Sequence, residues 1–249
     1  MAAKRHVGLP FVELSNTDST NIYAIRQLQA NMAAHGTAFF AYAQHAGKGQ
    51  RGKEWDSEPG SNIILSVVLD SSFLLITQQF YLSAMVALAC HDFYSSYAGE
   101  ETKIKWPNDL YWRDRKAGGI LIETLVRGHK WQWAVVGMGI NINQTVFPPQ
   151  ARRAVSLKQI TGKQYDVPAL ARELCACLER RYQELLGGQF EPLLNEYNRL
   201  LFMRNETMKL KKESVSFQCT IKSVNPDGAL LVEGGIQDQF RFGEVEWIF

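Results

Sequence analysis

The sequence predicts an α+β protein: a mixed sheet carrying helices on one face, with a small β-rich unit at its C-terminal end. Three observations lead there. Strand-like segments at 102–106, 110–112, 119–127 and 131–138 follow one another through tight turns, so regular βαβ alternation is absent. Residues 80–97 are apolar on most faces, which marks a central helix packed on a sheet. After Asn205 the texture changes to short alternating strands with a Pro226-Asp227-Gly228 turn and the Gly234-Gly235 pair, the pattern of a small barrel.

Taken in order, residues 9–14 read as a short strand. The polar string Ser15-Asn16-Thr17-Asp18-Ser19-Thr20-Asn21 then offers several caps for a helix with Ile22, Ile25, Leu28 and Met32 on one stripe. Residues 37–45 suit a strand, 46–61 a glycine-rich basic loop, and 62–70 a buried strand. Pro148-Pro149 breaks the chain. A helix over 168–186 follows, its stripe being Leu170, Leu174, Leu178, Tyr182 and Leu185, and then another over 191–201.

The 249 residues are 46% hydrophobic and 21% charged with a formal net charge of +2, ordinary for a globular protein. That balance argues against nucleic-acid binding driven by bulk charge. No apolar stretch follows the first charged residues and no run could span a bilayer, so neither a signal peptide nor a membrane anchor is expected. Cys90, Cys175, Cys177 and Cys219 lack metal-ligand spacing. Cys175 and Cys177 would point about 200° apart on a helix, so free thiols in a reducing cytoplasm are expected.

The segment Gly47-Lys48-Gly49-Gln50-Arg51-Gly52-Lys53-Glu54-Trp55 sets three cations among three glycines. Such a backbone can bend close to an anion and aim N–H groups at it, with Trp55 covering a ring. Taken alone, the composition also suits a solvated basic turn. Gly47 and Gly52-Lys53 have P-loop spacing, but Glu54 replaces the required hydroxyl and no helix is expected after it.

Lys105-Trp106-Pro107-Asn108-Asp109 ends a strand, the proline fixing where the amide and carboxylate project; either an ordinary turn or an oxygen ligand for nucleotide-bound magnesium would look like this. Arg115-Lys116-Ala117-Gly118-Gly119 opens the next strand with a lysine beside paired glycines, suited to a carboxylate and to charge developing on a phosphate, or else to a plain strand entry. Gly137-Met138-Gly139-Ile140-Asn141 starts like a dinucleotide fingerprint but lacks the third glycine and the helix. A contact to adenosine through the backbone and Asn141 fits better.

In this order, with Asp-Ser-Thr-Asn at 18–21 and Gln44 ahead of the basic loop, the motifs resemble the biotin protein ligase family over nearly the whole chain. The resemblance implies a catalytic domain (1–204) related to class II aminoacyl-tRNA synthetases and an SH3-like barrel (205–249). It implies activation of biotin by Mg·ATP to biotinyl-5′-AMP, then transfer to a lysine of a biotin carboxyl carrier protein. It assigns Ser19, Thr20, Asn21 and Gln44 to the biotin head group, and Lys48, Gly49, Gln50 and Arg51 to the tail and acyl phosphate, with Gly119 beside them. Lys53, Trp55, Asn108 and Asn141 fall on the nucleotide side, and Asp109 is the candidate magnesium ligand. Lys116 bridges carboxylate and α-phosphate and, with Arg51, carries the catalysis.

Gln50 stands where some members have a second arginine, so tight retention of the intermediate is not implied. Lys48 and Lys53 replace frequent arginines and lack their bidentate reach. The motifs begin too early for a winged-helix domain, so no DNA partner is expected. Members of this type occur as monomers and dimers, and a weak homodimer is the expectation here. A lipoate ligase of the same superfamily and a DNA-binding regulator are the competing readings.

Overall fold

The computed structural model describes residues 6–127 and 130–249. Its first body contains β1 (Phe11–Leu14), α1 (Thr20–Gln29), β2 (Ala38–Ala41), β3 (Ile63–Asp70), α2 (Gln79–Ala98), β4 (Thr102–Lys105), β5 (Asp109–Trp112), β6 (Arg115–Arg127) and β7 (Lys130–Ile140). After these come α3 (Leu157–Thr161), α4 (Val167–Leu186) and α5 (Phe190–Arg199). The tail is β8 (Thr207–Lys212), β9 (Val215–Val224), β10 (Leu230–Glu233), β11 (Gln239–Phe240) and β12 (Glu246–Ile248).

Among the described residues the first body holds a seven-stranded sheet in the order β1-β2-β3-β7-β6-β5-β4. β1 and β2 run parallel and the other neighbours antiparallel, so the sheet is mixed. The tail forms a small five-stranded antiparallel sheet, β11-β10-β9-β8-β12, around Leu210, Ile221, Leu230 and Phe240, each 0% exposed.

The expected central helix is α2, whose apolar surroundings explain why it lacks a polar side: it lies between β4 and β5 below and α4 and α5 above. Every residue of the α4 stripe is buried. Asp166 caps that helix, its carboxylate accepting from Ala169 N at 3.1 Å. A side-chain cluster locks the layer: the Arg181 guanidinium donates to Asp92 of α2 and Glu196 of α5 at 2.7 to 3.0 Å.

Helices on one face is the expectation the structure corrects. Phe40, Val67 and Val136 belong to the large core under α2 and α4. Their chain neighbours Phe39, Val68 and Val135 point the other way and pack with Ala24 and Leu28 of α1. Periodicity shows that a helix has an apolar side but not which sheet face it covers. The stripe of α1 also differs. The helix ends at Gln29, Met32 is 73% exposed, and the buried side is Thr20, Asn21, Ala24 and Leu28. Polar contacts at its first turn, described next, decide its rotation.

Candidate functional site

The α1 face of the sheet is left uncovered beyond the helix's first turn, and three glycines lower its surface there. Cross-strand pairing places Ser66, Gly137 and Leu121 in one row and Ile64, Gly139 and Gly119 in the next. A Cβ at Gly137 would lie 2.5 Å from Asn21 Oδ1, and one at Gly139 2.5 Å from the Trp55 indole. The missing side chains leave a trough, part of a cavity of about 630 Å³, a size suited to a small organic ligand.

The first turn of α1 builds one end. The Asp18 carboxylate accepts from Ser19 N at 2.8 Å and pairs with Arg26 at 3.1 Å, and the Ser19 hydroxyl makes no capping bond to the helix. The backbone hydrogen bond from Ser19 is the main reason the Asp18 carboxyl sits below its ordinary value. Asn21 Nδ2 donates to Glu123 Oε2 at 2.8 Å and Leu121 O at 3.3 Å; its Oδ1 accepts from Ser66 Oγ at 2.6 Å. Ser66 Oγ also lies 2.7 Å from Thr20 Oγ1. Gln44 flanks this end, beside Thr17 through a parallel bridge.

The basic loop forms a narrow hairpin. Trp55 N donates to Gly47 O at 2.9 Å and Lys48 bridges Glu54. At its tip Arg51 and Gly52 take φ of 57° and 74°, left-handed values that suit a glycine and fold the chain sharply. No helix follows, in keeping with the rejected P-loop. The Arg51 side chain reaches the tail, donating to Gly243 O at 2.9 Å. Among the described residues Trp55 Nε1 and Gln50 Oε1 are buried without a hydrogen-bond partner, each a desolvated group that a ligand could satisfy.

Lys116 sits between these parts. Its ammonium pairs with Asp109 at 2.7 Å and lies 5.6 Å from the Trp55 ring centre. Asn108 Nδ2 donates to Ile120 O at 2.7 Å, which aims the Pro107 turn along β6.

All but one of the expected site residues line this single cavity: Ser19, Thr20, Asn21, Gln44, Lys48, Gly49, Gln50, Arg51, Lys53, Trp55, Asn108, Asp109, Lys116 and Gly119. The exception is Asn141. It is 3% exposed, and its amide nitrogen is spent on Lys116 O at 3.3 Å and Val155 O at 3.2 Å, behind the wall.

Sequence reading missed several contributors. Ser66 and Glu123 interrupt otherwise apolar strands, a local signal that was there to use. Lys105, 9% exposed, faces the same cavity, and burial pushes its ammonium down to about 8 although the Asp109 charge opposes the shift. Phe242, Gly243, Trp247 and Phe249 come from the tail, and nothing local marks them.

Five cations (Lys48, Arg51, Lys53, Lys105, Lys116) line the cavity against three carboxylates (Glu54, Asp109, Glu246). No group of three or more His, Cys, Asp or Glu able to hold a metal ion occurs among the described residues. One paired carboxylate does not suit an all-protein metal site, but it fits a magnesium ion carried in by phosphates.

A mixed sheet with a polar recognition end, a cation-rich loop over glycine-lined strands, and a lysine between them defines a site that can hold a carboxylate against a polyphosphate. The comparisons agree: the model of the Biotin/lipoate A/B protein ligase family matches residues 13–141, and the chain belongs to that family. It is 30% identical over 224 residues to the bifunctional ligase/repressor BirA of Bacillus subtilis (strain 168), covering 88% of this chain and 67% of that one. Over 228 residues it is 28% identical to the biotin–[acetyl-CoA-carboxylase] ligase of Paracoccus denitrificans, with coverage of 89% and 93%. A biotin protein ligase from Aquifex aeolicus, solved in complex with biotin and ATP, has a TM-score of 0.78 at 25% identity over 95% of this chain and 97% of that one.

Proposed function

We propose that this chain is a biotin protein ligase, joining biotin through biotinyl-5′-AMP to a lysine of a biotin carboxyl carrier protein. The observation that carries the reading is Lys116 on a glycine-floored trough, with buried amide and hydroxyl groups at one end and surplus positive charge at the other. The names of the relatives agree with it.

Ser19, Thr20 and Gln44 meet the ureido ring, which needs donors and acceptors together. Asn21, its amide already committed to Glu123 and Ser66, sets the shape of that end. In the first step a carboxylate oxygen of biotin bonds the α-phosphorus of ATP, and the bond from that phosphorus to the departing pyrophosphate breaks. Lys116 and Arg51 lower the cost of crowding two anions and of the charge that builds in the transition state. Lys48, Gly49 and Gln50 enclose the acyl phosphate away from water. Lys53, Trp55 and Asn108 serve the nucleotide, and Asn141 acts indirectly by holding the Lys116 backbone. Magnesium bound at Asp109 would neutralise phosphate charge. In the second step the carrier's lysine amine attacks the acyl carbon, AMP leaves, and the amine loses a proton.

We divide the chain into a catalytic part, 1–204, and a tail, 205–249, joined through Trp106 Nε1 donating to Gly228 O at 2.9 Å and through Asn198 bonding to Val224. β5 pairs with β6 only as far as Gly119. The rest of β6 is therefore a sheet edge among the described strands, on which a weak homodimer could form. No described helix is long and apolar enough to cross a membrane, and the net charge of +2 supplies no general drive toward DNA. The four cysteines are free, which accords with a reducing cytoplasm.

The test is pyrophosphate release from Mg·ATP with biotin, lipoate or octanoate. Release dependent on biotin alone is expected. Release on lipoate or octanoate instead would move the chain to the sister acyl ligases.

A further inference from the structure

The α1 end of the cavity is backed by a carboxylate. Glu123 stands on β6 opposite Val135, on the sheet face that α1 covers, and Leu125 packs into the same cluster. An apolar residue would suit that row, because a half-buried carboxylate costs free energy unless it is hydrogen-bonded. Among the described residues Glu123 forms no ion pair, and its hydrogen bond is the one from Asn21 Nδ2 at 2.8 Å.

From this carboxylate the protons of the neighbouring groups all run in one direction. Glu123 Oε2 and Leu121 O, at 2.8 and 3.3 Å, are pure acceptors, so the Asn21 amide nitrogen faces them and Oδ1 faces Ser66. That oxygen cannot donate, so the single Ser66 hydroxyl proton goes to it across 2.6 Å. Ser66 Oγ then has only lone pairs left, and Thr20 Oγ1, 2.7 Å away, must be the donor between the two hydroxyls. With its own proton spent, Thr20 presents only lone pairs to the cavity it lines.

Its neighbours lack this bias. The Ser19 hydroxyl makes no capping bond and can turn, and the Gln44 amide offers a donor and an acceptor. Thr20 is therefore a group whose hydrogen-bond direction the fold fixes before a ligand arrives.

We propose that Glu123 is a positioning residue that sets this direction. Through Asn21 and Ser66 it holds Thr20 as an acceptor for a ring N–H, and so selects a cyclic urea over a ring with oxygen at that place. The inference rests on the ligase reading above and deepens its recognition end. Glu123→Gln keeps the size of the side chain but lets a donor turn toward Asn21. Every bond of the chain can then reverse, which makes Thr20 a donor and sacrifices only the longer bond to Leu121 O.

The test is calorimetry on the full chain, wild type against Glu123→Gln and Ser66→Ala. The ligands are biotin and its two cyclic carbamates, in each of which oxygen replaces one ureido N–H. Wild type is expected to reject one carbamate about hundredfold, because its ring oxygen would face the Thr20 lone pairs. Glu123→Gln should weaken biotin about tenfold, the scale of one hydrogen bond, and leave that carbamate within about twofold. The other carbamate keeps the N–H that meets Thr20 and weakens in step with biotin. KM for ATP in pyrophosphate exchange stays within about twofold.

Unchanged biotin affinity in Glu123→Gln overturns the proposal. So does a loss shared equally by biotin and both carbamates, which is what a merely structural support would give. Should Glu123→Gln fail to fold, Ser66→Ala, which frees the Thr20 proton, decides by the same ratios. A wild-type chain that binds no biotin refutes the ligase reading instead. The Asn21 side-chain amide in heteronuclear NMR then tests the relay without a ligand: its protons are expected to shift in Glu123→Gln, and an unmoved signal overturns it.

Discussion

At the α1 end of the cavity, Thr20, Asn21 and Ser66 are 4%, 3% and 0% exposed, and each is hydrogen-bonded to an element of the sheet or helix. At the opposite end Lys48, Arg51, Lys53 and Glu54 are exposed, and the loop carrying them is held by its own hairpin bonds and by the reach of Arg51 to Gly243 O and of Gln50 to Ile120 O. The first end can recognise shape because its polar groups are fixed before a ligand arrives. The second end must enclose a reactive anhydride and then release it to a protein acceptor, which favours a segment that can be re-formed at modest cost. On the proposed reading, recognition is built on the first turn of α1 and the strands beneath it, and the chemistry is covered by a loop and the tail.

The largest expected effect lies where the two ends meet. Lys116→Ala should lower adenylation about 10²- to 10³-fold, as loss of a pre-aligned donor to developing charge does, while biotin affinity moves less than about threefold. Exchange kinetics beside calorimetry measure both quantities; near-normal adenylation would remove Lys116 from its assigned role. Next comes the rigid floor. Gly137→Ala puts a methyl 2.5 Å from Asn21 Oδ1. At an overpacking cost of about 1–3 kcal/mol it should weaken biotin binding roughly tenfold to hundredfold.

Gly139→Ala sharpens the contrast. Its methyl would lie equally close to Trp55, but that side chain belongs to the adaptable loop. The expected loss is only about threefold, seen in KM for ATP. If both alanines cost the same, the distinction between fixed floor and adaptable cover fails.

The smallest effect on activity should come from Asp92→Asn, outside both ends. Burial pushes the Asp92 carboxyl up, but the hydrogen bonds from Arg181 and Arg180 outweigh it and hold the group below its ordinary value. A carboxyl lowered in the folded state adds stability above its unfolded pKa and loses it as pH falls through the folded one. Asp92→Asn should therefore cost about 1–3 kcal/mol at neutral pH, narrowing below about pH 4, with exchange activity unchanged. Urea melts at pH 7 and pH 3 measure the difference; an equal cost at both would discard the ionic account.

Much of the site was legible because its chemistry is written in short segments. Glycines at 119, 137 and 139 and the cations of the 47–55 loop signal close approach and anion binding wherever they fold. Asn141 stands apart from the cavity lining for a physical reason. An asparagine after Gly-Met-Gly-Ile suits a nucleotide contact, yet Lys116 O and Val155 O sit where its amide nitrogen satisfies them. The same local reading gave α1 an apolar stripe, whereas Asn21 and Thr20 turn inward because Glu123 and Ser66 wait on the sheet.

The sequence by itself determined the elements, their order and the reactive groups each carries, because helix and strand periodicity and turn chemistry act over a few residues. Only the tertiary structure decided which sheet face α1 covers, that Asn21 meets Glu123 across 102 residues, and that Arg51 reaches Gly243 across 192. Pairing between distant strands brings such groups together, and the cost of leaving a buried polar group unpaired selects its partner. Neither quantity is set within a single segment.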